Sequence, residues 1–308
     1  MKERKIRIFR YGITTVFLLS LLYLADLGRI AAQFSSVDIT TYLLAVGVFL
    51  TIYFWSAFRW KSLTDGLGYS IGAWESAKII AMSYGFNKML PLNSGDLTRS
   101  KLMERYARVS SHGEILGAVA MERMLDVMFL GAISAISAVY LLGGTGVTTL
   151  LVLIAAVLVG FMVLIRVRAD LFLKILERLS DLGMPERLSG LLEESLEGYR
   201  DIPLENLAEV SIWHTLRWAA GIMVLYLLSV SLGHPISLAG AALATAVMSL
   251  VSAMPITPAG IGPVEALGTG ILIVLGLSPA EAAALVVLQR SLGFVLMAVI
   301  GSLVYSLG

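Results

Sequence analysis

Charged side chains that interrupt apolar stretches are the residues of this sequence most able to do chemistry. Glu122, Arg123 and Asp126 lie within one such stretch. In a helix, Glu122 and Asp126 share a face because they are four residues apart, and Arg123 is three residues from Asp126. Charges at membrane depth are costly and usually serve a function. The pattern predicts an arginine that two carboxylates hold for an anionic headgroup, and the alternative is a salt network that only fixes helix packing.

Arg290 is a second charge of this kind, about 14 Å along the last predicted helix. No residue within one helical turn can pair with it, so its partner must come from another segment or from a ligand. Glu265 is the nearest candidate in this half of the chain, and Glu122 and Asp126 are alternatives. A tertiary ion pair without a ligand is the competing interpretation.

Two segments rich in proline and glycine, 91–99 and 254–265, interrupt apolar runs before a helix restarts. A helix that begins at membrane depth directs free N–H groups and its positive dipole end at its neighbours, which makes an anion site. Transporters use paired broken helices in this way near the membrane midplane. Glu265 and Asp96 have a simpler alternative role, which is to cap the helices that begin near them.

The two breaks lie at equal distances from the two arginines. Pro91 precedes Arg123 by 32 positions, and Pro258 precedes Arg290 by the same 32. The offset is 167 residues for the prolines (258 − 91) and for the arginines (290 − 123). A break followed by a buried arginine, found twice, is the layout of a transporter with a two-fold repeat. The spacing therefore raises an internal two-fold repeat as a hypothesis.

The composition places these residues in a membrane protein. The chain has 308 residues, of which 57% are hydrophobic and 15% are charged, whereas soluble domains carry roughly 25% charged residues. Its 23 basic and 22 acidic residues nearly cancel, which excludes a basic nucleic-acid binder. The absence of cysteine excludes disulfides and thiolate metal sites. With no Walker loop and no histidines at metal-ligand spacing, we expect no cofactor.

Long tracts without a charged residue predict the helices. A span needs about 20 mostly apolar residues, and only helices and closed barrels satisfy their backbone in lipid. The sequence therefore predicts an all-α polytopic membrane protein, with one integral domain over 1–308 and about six to eight transmembrane helices. The predicted full spans are 7–27, 41–60, 114–142, 147–165, 212–232 and a last helix from Ser278. The predicted broken or re-entrant elements are 77–92 and 238–276.

Polar segments between the spans suggest how the chain is oriented. We predict a re-entrant or interfacial segment at 61–113, in which Leu102 and Met103 face opposite to Arg99 and Lys101. We predict amphipathic helices at 166–210. Five basic residues at the start of the chain, Lys2, Arg4, Lys5, Arg7 and Arg10, place the amino terminus in the cytoplasm, and counting the spans from there puts 166–210 on the cytoplasmic side.

Two capping boxes are expected at helix starts, Ser111 with Glu114 and Ser278 with Glu281. In each pair the serine hydroxyl accepts a hydrogen bond from the third helical N–H, and the glutamate reaches back to the N–H of the serine. Pro279 would then be the first helical residue of the last span, a position that favours proline.

Taken in order, these motifs resemble the lysylphosphatidylglycerol synthase transmembrane-region family, a flippase-like integral membrane domain. The resemblance covers nearly the whole chain. It rests on Pro91…Gly95-Asp96-x-x-Arg99, Glu122-Arg123-x-x-Asp126, Pro255-x-Thr257-Pro258-x-Gly260-x-Gly262-x-x-Glu265 and Arg290. It implies a helical domain with re-entrant elements that handles lipid, and in the best-understood members an aminoacylated phospholipid moves between leaflets. The soluble aminoacyl-transfer domain is missing here, so lysyl-lipid synthesis is not expected. Asn93, Ser94 and Pro263 depart from the family pattern, so the headgroup stays open.

From the residues and the resemblance together we expect a lipid translocase, not an enzyme. It would move an anionic phospholipid or a polyprenyl-phosphate-linked lipid across the cytoplasmic membrane without ATP. The alternatives are a secondary transporter of a small anionic solute, an intramembrane enzyme with Asp96 and Glu122 in acid and base roles, and a supporting binding protein. Expected partners are membrane lipids, a second copy of the chain or a separate lipid-modifying enzyme, and no nucleic acid. The candidate substrate-binding residues are Asn87, Gly95, Asp96, Arg99, Glu122, Arg123, Asp126, Thr257, Gly260, Gly262, Glu265 and Arg290.

Overall fold

The computed structural model describes residues 33–35, 37–89, 94–109, 111–142, 160, 167–181, 186–253, 257 and 260–307. Within these ranges the regular structure is helical, without a strand. The helices are α1 (Ile39–Gly66), α2 (Ala73–Met89), α3 (Ser94–Met103), α4 (His112–Leu142), α5 (Ala169–Asp181), α6 (Glu186–Asp201), α7 (Leu204–Ser231), α8 (Leu238–Ala253), α9 (Pro263–Val274) and α10 (Pro279–Leu307).

Four helices, α1, α4, α7 and α10, are long and apolar enough to cross a membrane. Each coincides with a predicted full span, and the other two predicted spans, 7–27 and 147–165, lie outside the described residues. The predicted broken element at 238–276 consists of two shorter apolar helices, α8 and α9, on either side of the proline–glycine segment. The prediction of an all-α polytopic membrane protein is therefore confirmed.

The helices α1 and α7 are longer than the sequence predicted, because their polar residues have partners. The prediction ended α1 near residue 60 and began α7 near residue 212. Lys61 Nζ lies 2.5 Å from Asp65 Oδ2 on the same helix. Ser62 donates to Glu209 of α7 at 2.9 Å, and the Asn206 amide donates to the Ser62 carbonyl at 3.0 Å. These contacts between α1 and α7 allow both helices to continue beyond their apolar tracts.

Helix α2 packs closely against α10 through two glycines. A Cβ atom on Gly301 would lie 2.7 Å from Gly85 Cα and 2.8 Å from the Ala81 carbonyl oxygen. Real Cβ atoms essentially never come this close to backbone, so the contact depends on glycine. Ile79 and Ile80 of the same helix are fully buried. Helix α2 is thus held between α1 and α10, and its predicted re-entrant character stays a prediction.

Gly301→Ala should destabilise this helix pair. The new methyl group would force α2 and α10 apart, and overpacking of this kind costs about 1–3 kcal/mol. Gly293→Ala on the same helix is the matched control, because its Cβ would meet nothing within 4 Å. Thermal unfolding in detergent should therefore show a lower midpoint for Gly301→Ala and an unchanged or slightly higher one for Gly293→Ala. Equal midpoints in the two variants would contradict the close packing.

Helix starts follow the predicted caps with one difference. Ser278 N–H donates to Glu281 at 2.9 Å and Glu281 N–H donates to the Ser278 hydroxyl at 3.4 Å, so this capping box is confirmed. At the start of α4, Glu114 N–H donates to the Ser111 hydroxyl at 3.1 Å, but the Glu114 carboxylate accepts instead from the Tyr69 hydroxyl at 2.6 Å. The predicted reciprocal half of that box is wrong because a tyrosine from the α1–α2 connection takes the glutamate.

Asp38 caps α1 at its first turn. Its carboxylate accepts from the Thr41 hydroxyl at 2.5 Å, from Thr41 N–H at 3.0 Å and from Thr40 N–H at 3.3 Å. The hydrogen bonds from Thr41 hold the pKa of the exposed Asp38 carboxyl below its ordinary value. This cap fixes the beginning of α1, the helix that carries the buried Arg59.

Candidate functional site

Four helices bring ionic side chains into one buried group where α1, α3, α4 and α7 meet. We call this group the arginine cluster. Its members are Arg59 on α1, Asp96 and Arg99 on α3, Glu122, Arg123 and Asp126 on α4, and His214, Arg217 and Trp218 on α7. Three of these helices, α1, α4 and α7, are long and apolar enough to span a membrane. The cluster therefore lies among the spans and not on a polar surface.

Glu122 is the centre of the cluster. Its Oε1 accepts a hydrogen bond from Arg59 Nε at 3.1 Å, and its Oε2 accepts one from Arg99 Nη1. The side chains of all three residues are 0% exposed. Arg99 Nε also donates to the Ser83 hydroxyl of α2 at 3.1 Å. One carboxylate thus ties α1, α3 and α4 together in the interior.

Asp126 lies one turn further along α4 and accepts three hydrogen bonds, one more than Glu122. Its Oδ1 accepts from Arg59 Nη1 at 3.2 Å and from Trp218 Nε1 at 3.0 Å, and its Oδ2 accepts from Arg123 Nη1 at 3.0 Å. Arg217 Nη1 lies 3.6 Å from Oδ1, which is too far for a hydrogen bond. Asp126 therefore accepts hydrogen bonds from two charged residues, Arg59 and Arg123, and from the neutral Trp218, without a hydrogen bond to Arg217.

Asp96 connects the short helix α3 to α4. Its Oδ2 lies 2.8 Å from Arg123 Nη2, and its Oδ1 lies 3.3 Å from Arg99 Nη2. Asn87 of α2 fixes the aspartate, because its amide donates to Oδ1 at 2.9 Å and accepts from Asp96 N–H at 3.2 Å. A Cβ on Gly95 would lie 2.8 Å from the Asn87 amide oxygen, so glycine permits this approach. Asp96 is thus an ion-pairing residue.

His214 is a buried, neutral member of the cluster. Its Nδ1 lies 2.8 Å from Arg59 Nη1. A guanidinium group only donates, so Nδ1 must accept and the ring proton must be on Nε2. That Nε2 atom has no hydrogen-bond partner among the residues that the structure describes. The imidazole is only 3% exposed and meets the Phe129 ring edge-on, with ring centres 5.2 Å apart.

The cluster has more buried donors than acceptors. Nitrogen atoms without a hydrogen-bond partner in the described part of the chain are Arg59 Nη2, Trp60 Nε1, Arg123 Nε, His214 Nε2, and Nε and Nη1 of Arg217. Buried polar groups are nearly always bonded to protein, water or a ligand. An excess of donors in which most belong to guanidinium groups fits a ligand that carries oxygen acceptors and negative charge.

The members of the cluster differ in how far their side chains are exposed. The side chain of Arg123 is 38% exposed and that of Arg217 is 15% exposed, whereas Asp126 and Asp96 are less than a tenth exposed. Arg217 also lies flat on its neighbour Trp218, with its central carbon 4.2 Å from the ring centre. A ligand that reaches the cluster would therefore meet Arg123 and Arg217 before the other members.

A second ionic site lies at the other break. Arg290 Nε of α10 donates to Glu265 Oε1 at 2.8 Å, and Glu265 Oε2 accepts from Gly262 N–H at 2.6 Å. Gly260 and Gly262 have φ values of +71° and +97°, a backbone conformation that favours glycine. Arg290 also contacts the Phe294 ring, 4.8 Å from its centre. Glu265 therefore has both predicted roles, because it caps α9 and pairs with the arginine.

Thr257, in the second break, is buried, and its hydroxyl has no hydrogen-bond partner among the described residues. Within the same described residues, no group of His, Asp and Glu side chains converges in a way that could hold a metal ion. The two sites are therefore built from arginines, carboxylates and glycine turns.

Three sequence predictions about partners need correction. Arg123 was expected to pair with Glu122 and Asp126, but it pairs with Asp126 and Asp96, because both oxygens of Glu122 face α1 and α3. Arg99 was expected on the polar face of an interfacial helix, but it is fully buried by its bond to Glu122. The alternatives for Arg290, Glu122 and Asp126, are wrong because arginines of the cluster already occupy them.

The sequence reasoning missed four members of the cluster: Arg59, His214, Arg217 and Trp218. Arg59 follows an apolar tract directly, a position that predicts the charged end of a span. His214 and Arg217 lie at the start of the predicted span 212–232, just before the charge-free tract that begins at Trp218, a position typical of a span boundary. A signal was present, since spacings of three and four residues place these three side chains on one helix face.

The two breaks share a local geometry. Arg123 on a long helix contacts Asp96 of the short helix after the first break, with N and O atoms 2.8 Å apart. Arg290 on a long helix contacts Glu265 of the short helix after the second break at the same 2.8 Å. Each arginine follows its carboxylate by a similar distance, 27 residues (123 − 96) and 25 residues (290 − 265). The two-fold repeat stays a prediction. If it is correct, each repeat contains an arginine on a long helix that pairs with a carboxylate on the short helix after the break.

Comparison with known proteins shows similarity to membrane proteins over nearly the whole chain. A UPF0104 membrane protein of Pyrococcus horikoshii is 21% identical over 95% of this chain and 93% of its own length. A UPF0104 membrane protein of Methanothermobacter thermautotrophicus is 23% identical over 94% of this chain and 91% of its own length. The family model of the lysylphosphatidylglycerol synthase TM region matches residues 7–301, which include both ionic sites. Together with the four apolar spans, this identifies an integral membrane protein with a role related to membrane lipid, and the chain belongs to the lysylphosphatidylglycerol synthase transmembrane-region family.

Proposed function

We propose that this protein is a lipid translocase of the cytoplasmic membrane, with its amino terminus in the cytoplasm. It moves an anionic phospholipid or a polyprenyl-phosphate-linked lipid between leaflets without ATP. The observation that carries the proposal is the arginine cluster, which lies among the apolar spans and has buried N–H donors without acceptors in the described residues. A phosphate group that leaves the interfacial water needs such donors in place of its hydration shell.

In this proposal Arg123 is the first contact for the headgroup, because it is the most exposed arginine of the cluster. Asp96 and Asp126 each bond one nitrogen of its guanidinium group and hold the plane of that group in place, while Nε stays unbonded within the described residues. Glu122 keeps the deeper Arg59 and Arg99 fixed. The carboxylates therefore serve to orient arginines and to limit the net positive charge that remains without a headgroup.

In this proposal the Arg290–Glu265 ion pair of the second site is a gate that opens when a lipid phosphate binds Arg290. Arg290 is held by Glu265, which is also bound to the start of α9 through Gly262 N–H. A lipid phosphate that competes with Glu265 for Arg290 would leave the carboxylate with its backbone partner, so the pair can open without stranding a charge. Movement of the headgroup past the break would then be coupled to a change between α9 and α10.

An enzymatic role for the same residues is less well supported. The alternative placed Asp96 and Glu122 in acid and base roles. Both Glu122 oxygens accept from fully buried arginines, and Asp96 is bonded to Arg99, Arg123 and Asn87. Neither carboxylate is free to take or give a proton, and general acid–base catalysis requires such freedom. We therefore propose transport and not chemical conversion of the lipid.

Reconstitution of the wild-type protein tests the proposal. Proteoliposomes with acyl-chain-labelled phosphatidylglycerol should lose inner-leaflet label to an impermeant reductant without ATP, whereas protein-free liposomes should keep it. A parallel measurement of entrapped inorganic phosphate tests the secondary transporter of a small anion. Loss of phosphate without movement of lipid would favour that alternative, and no movement of either one would refute the translocase.

A further inference from the structure

The arginine cluster carries one more positive than negative charge among the residues that the structure describes. Its cations are Arg59, Arg99, Arg123 and Arg217, and its anions are Asp96, Glu122 and Asp126. His214 contributes no charge because its Nδ1 accepts from Arg59. The difference, four minus three, leaves one positive charge in a site where Arg59, Arg99 and all three carboxylates are buried.

Arg217 is the arginine that holds this surplus. Each of the other three arginines makes at least one hydrogen bond to a carboxylate of the cluster. Arg217 lies 3.6 Å from Asp126, whose two oxygens already accept three hydrogen bonds. Its buried Nε and Nη1 atoms find no hydrogen-bond acceptor in the described part of the chain. The guanidinium group is therefore largely buried, and it shares Asp126 at 3.6 Å with two other arginines without a hydrogen bond to it.

The other charged side chains considered on α1, α2 and α7 form no ion pair with Arg217, whose ion-pair contact in the described residues is Asp126. Lys61 and Asp65 of α1 form their own pair at 2.5 Å. Glu209, two turns before Arg217 on α7, accepts from Ser62 at 2.9 Å. Lys78 of α2 lies over the Tyr106 ring, 4.9 Å from its centre. A largely buried charge that shares its anion with other arginines is expensive, so the surplus at Arg217 calls for a further anion beyond those of the described residues.

We propose that Arg217 binds the phosphate of a ligand that brings one net negative charge into the cluster. The class that fits is a phosphodiester headgroup without an amine, because its single charge makes the cluster neutral. A phosphomonoester or a pyrophosphate brings two or more charges and overcompensates. A zwitterionic or aminoacylated lipid adds a cation beside four guanidinium groups. This inference rests on the proposed function and narrows its substrate.

Binding of three acyl-chain-labelled lipids to the purified protein in nonionic detergent at pH 8 tests the inference. Phosphatidylglycerol carries one charge, phosphatidic acid carries nearly two, and phosphatidylcholine is zwitterionic. We expect phosphatidylglycerol to bind most tightly, and Arg217→Gln to weaken its binding about 10- to 100-fold, as expected for lost charged hydrogen bonds. Arg168→Gln, an exposed residue outside the cluster, is the control and should change nothing. Equal affinity for the three lipids, or full binding by Arg217→Gln, would overturn the inference.

Two further readouts separate ligand binding from a structural role. Arg217→Gln should leave the thermal midpoint of the lipid-free protein unchanged or raised, because it removes an uncompensated charge. Asp96→Asn raises the cluster charge to two and should shift the preference toward phosphatidic acid, while Arg99 and Arg123 keep their bonds to Glu122 and Asp126. A lowered midpoint for Arg217→Gln together with unchanged lipid selectivity would assign Arg217 to packing.

The soluble diester glycerophosphoglycerol, added as a competitor, distinguishes a headgroup site from a lipid site. Displacement of phosphatidylglycerol shows that the diester group is sufficient, and failure to displace shows that acyl chains are required; both results agree with a monoanionic diester at Arg217.

The experiments also distinguish a failure of the translocase proposal from a failure of this inference. Selective binding without lipid movement would refute only the transport proposal, whereas lipid movement without headgroup selectivity would refute only the role of Arg217.

Discussion

Replacing Glu122 by glutamine should lower the free energy of unfolding by about 3–5 kcal/mol, the cost of removing one partner of a buried ion pair. The side chain keeps its size, so the loss is electrostatic. Arg59 and Arg99 are both 0% exposed, and each would lose its charged acceptor in the interior. Because Glu122 joins α1, α3 and α4, we expect the loss to appear in cooperative unfolding of the described helices.

Thermal and denaturant unfolding in one detergent would measure this effect. Glu281→Gln is the matched control, since Glu281 caps the start of α10, lies 3.4 Å from His234 and is partly exposed. The double variant Glu122→Gln with Arg59→Met should be more stable than the sum of its single changes predicts, because the second change removes a stranded charge. A loss below about 1 kcal/mol for Glu122→Gln, within the range of exposed ion pairs, would contradict the central role of Glu122.

Arg123→Ala and Arg290→Ala should each slow lipid movement by about 100-fold, in line with the loss of a desolvated charged contact to the headgroup. The expected effect on folding is smaller than for Glu122→Gln. Without Arg123, Asp96 keeps Asn87 and Arg99, and Asp126 keeps Arg59 and Trp218. Without Arg290, Glu265 keeps Gly262 N–H. Both variants should therefore purify and unfold as cooperatively as the wild type.

Much of the fold follows from local sequence. Charge-free tracts long enough to cross a membrane correspond to α1, α4, α7 and α10 wherever the structure describes them. The break between α8 and α9 is also local, because Gly260 and Gly262 adopt a left-handed conformation and Pro263 begins the next helix. Glu265 was predictable for the same reason, since its position three residues after Gly262 fixes its role as a cap.

The partners of the arginines are not local, and the sequence predicted them less well. Spacing on one helix suggested Glu122 for Arg123, but Glu122 faces Arg59, 63 residues earlier in the chain. Whether a charge at the end of an apolar tract faces water or the interior depends on the helix that packs beside it. Arg59 and Arg217 face inward because α1 and α7 pack along most of their length. No local pattern in a single sequence shows that α1 and α7 pack against each other.

The ends of α1 and α7 show the same limit. Polar residues such as Ser62 and Asn206 look like the ends of spans, yet they hydrogen-bond the neighbouring helix and extend it. The positions of the two ionic sites near the breaks were predictable from composition. Their charge balance was not, because it depends on Arg59 and Arg217, and the surplus on Arg217 is what narrows the substrate class.

The rate of lipid movement in proteoliposomes of wild type, Arg123→Ala and Arg290→Ala tests the central claim most directly. The three proteins should be reconstituted at equal density with acyl-chain-labelled phosphatidylglycerol, with Arg168→Ala as the control for an exposed arginine. The predicted result is rapid movement for the wild type and for Arg168→Ala, and a loss of about 100-fold for the other two. Wild-type rates in both Arg123→Ala and Arg290→Ala would contradict a translocase that carries its headgroup on these arginines.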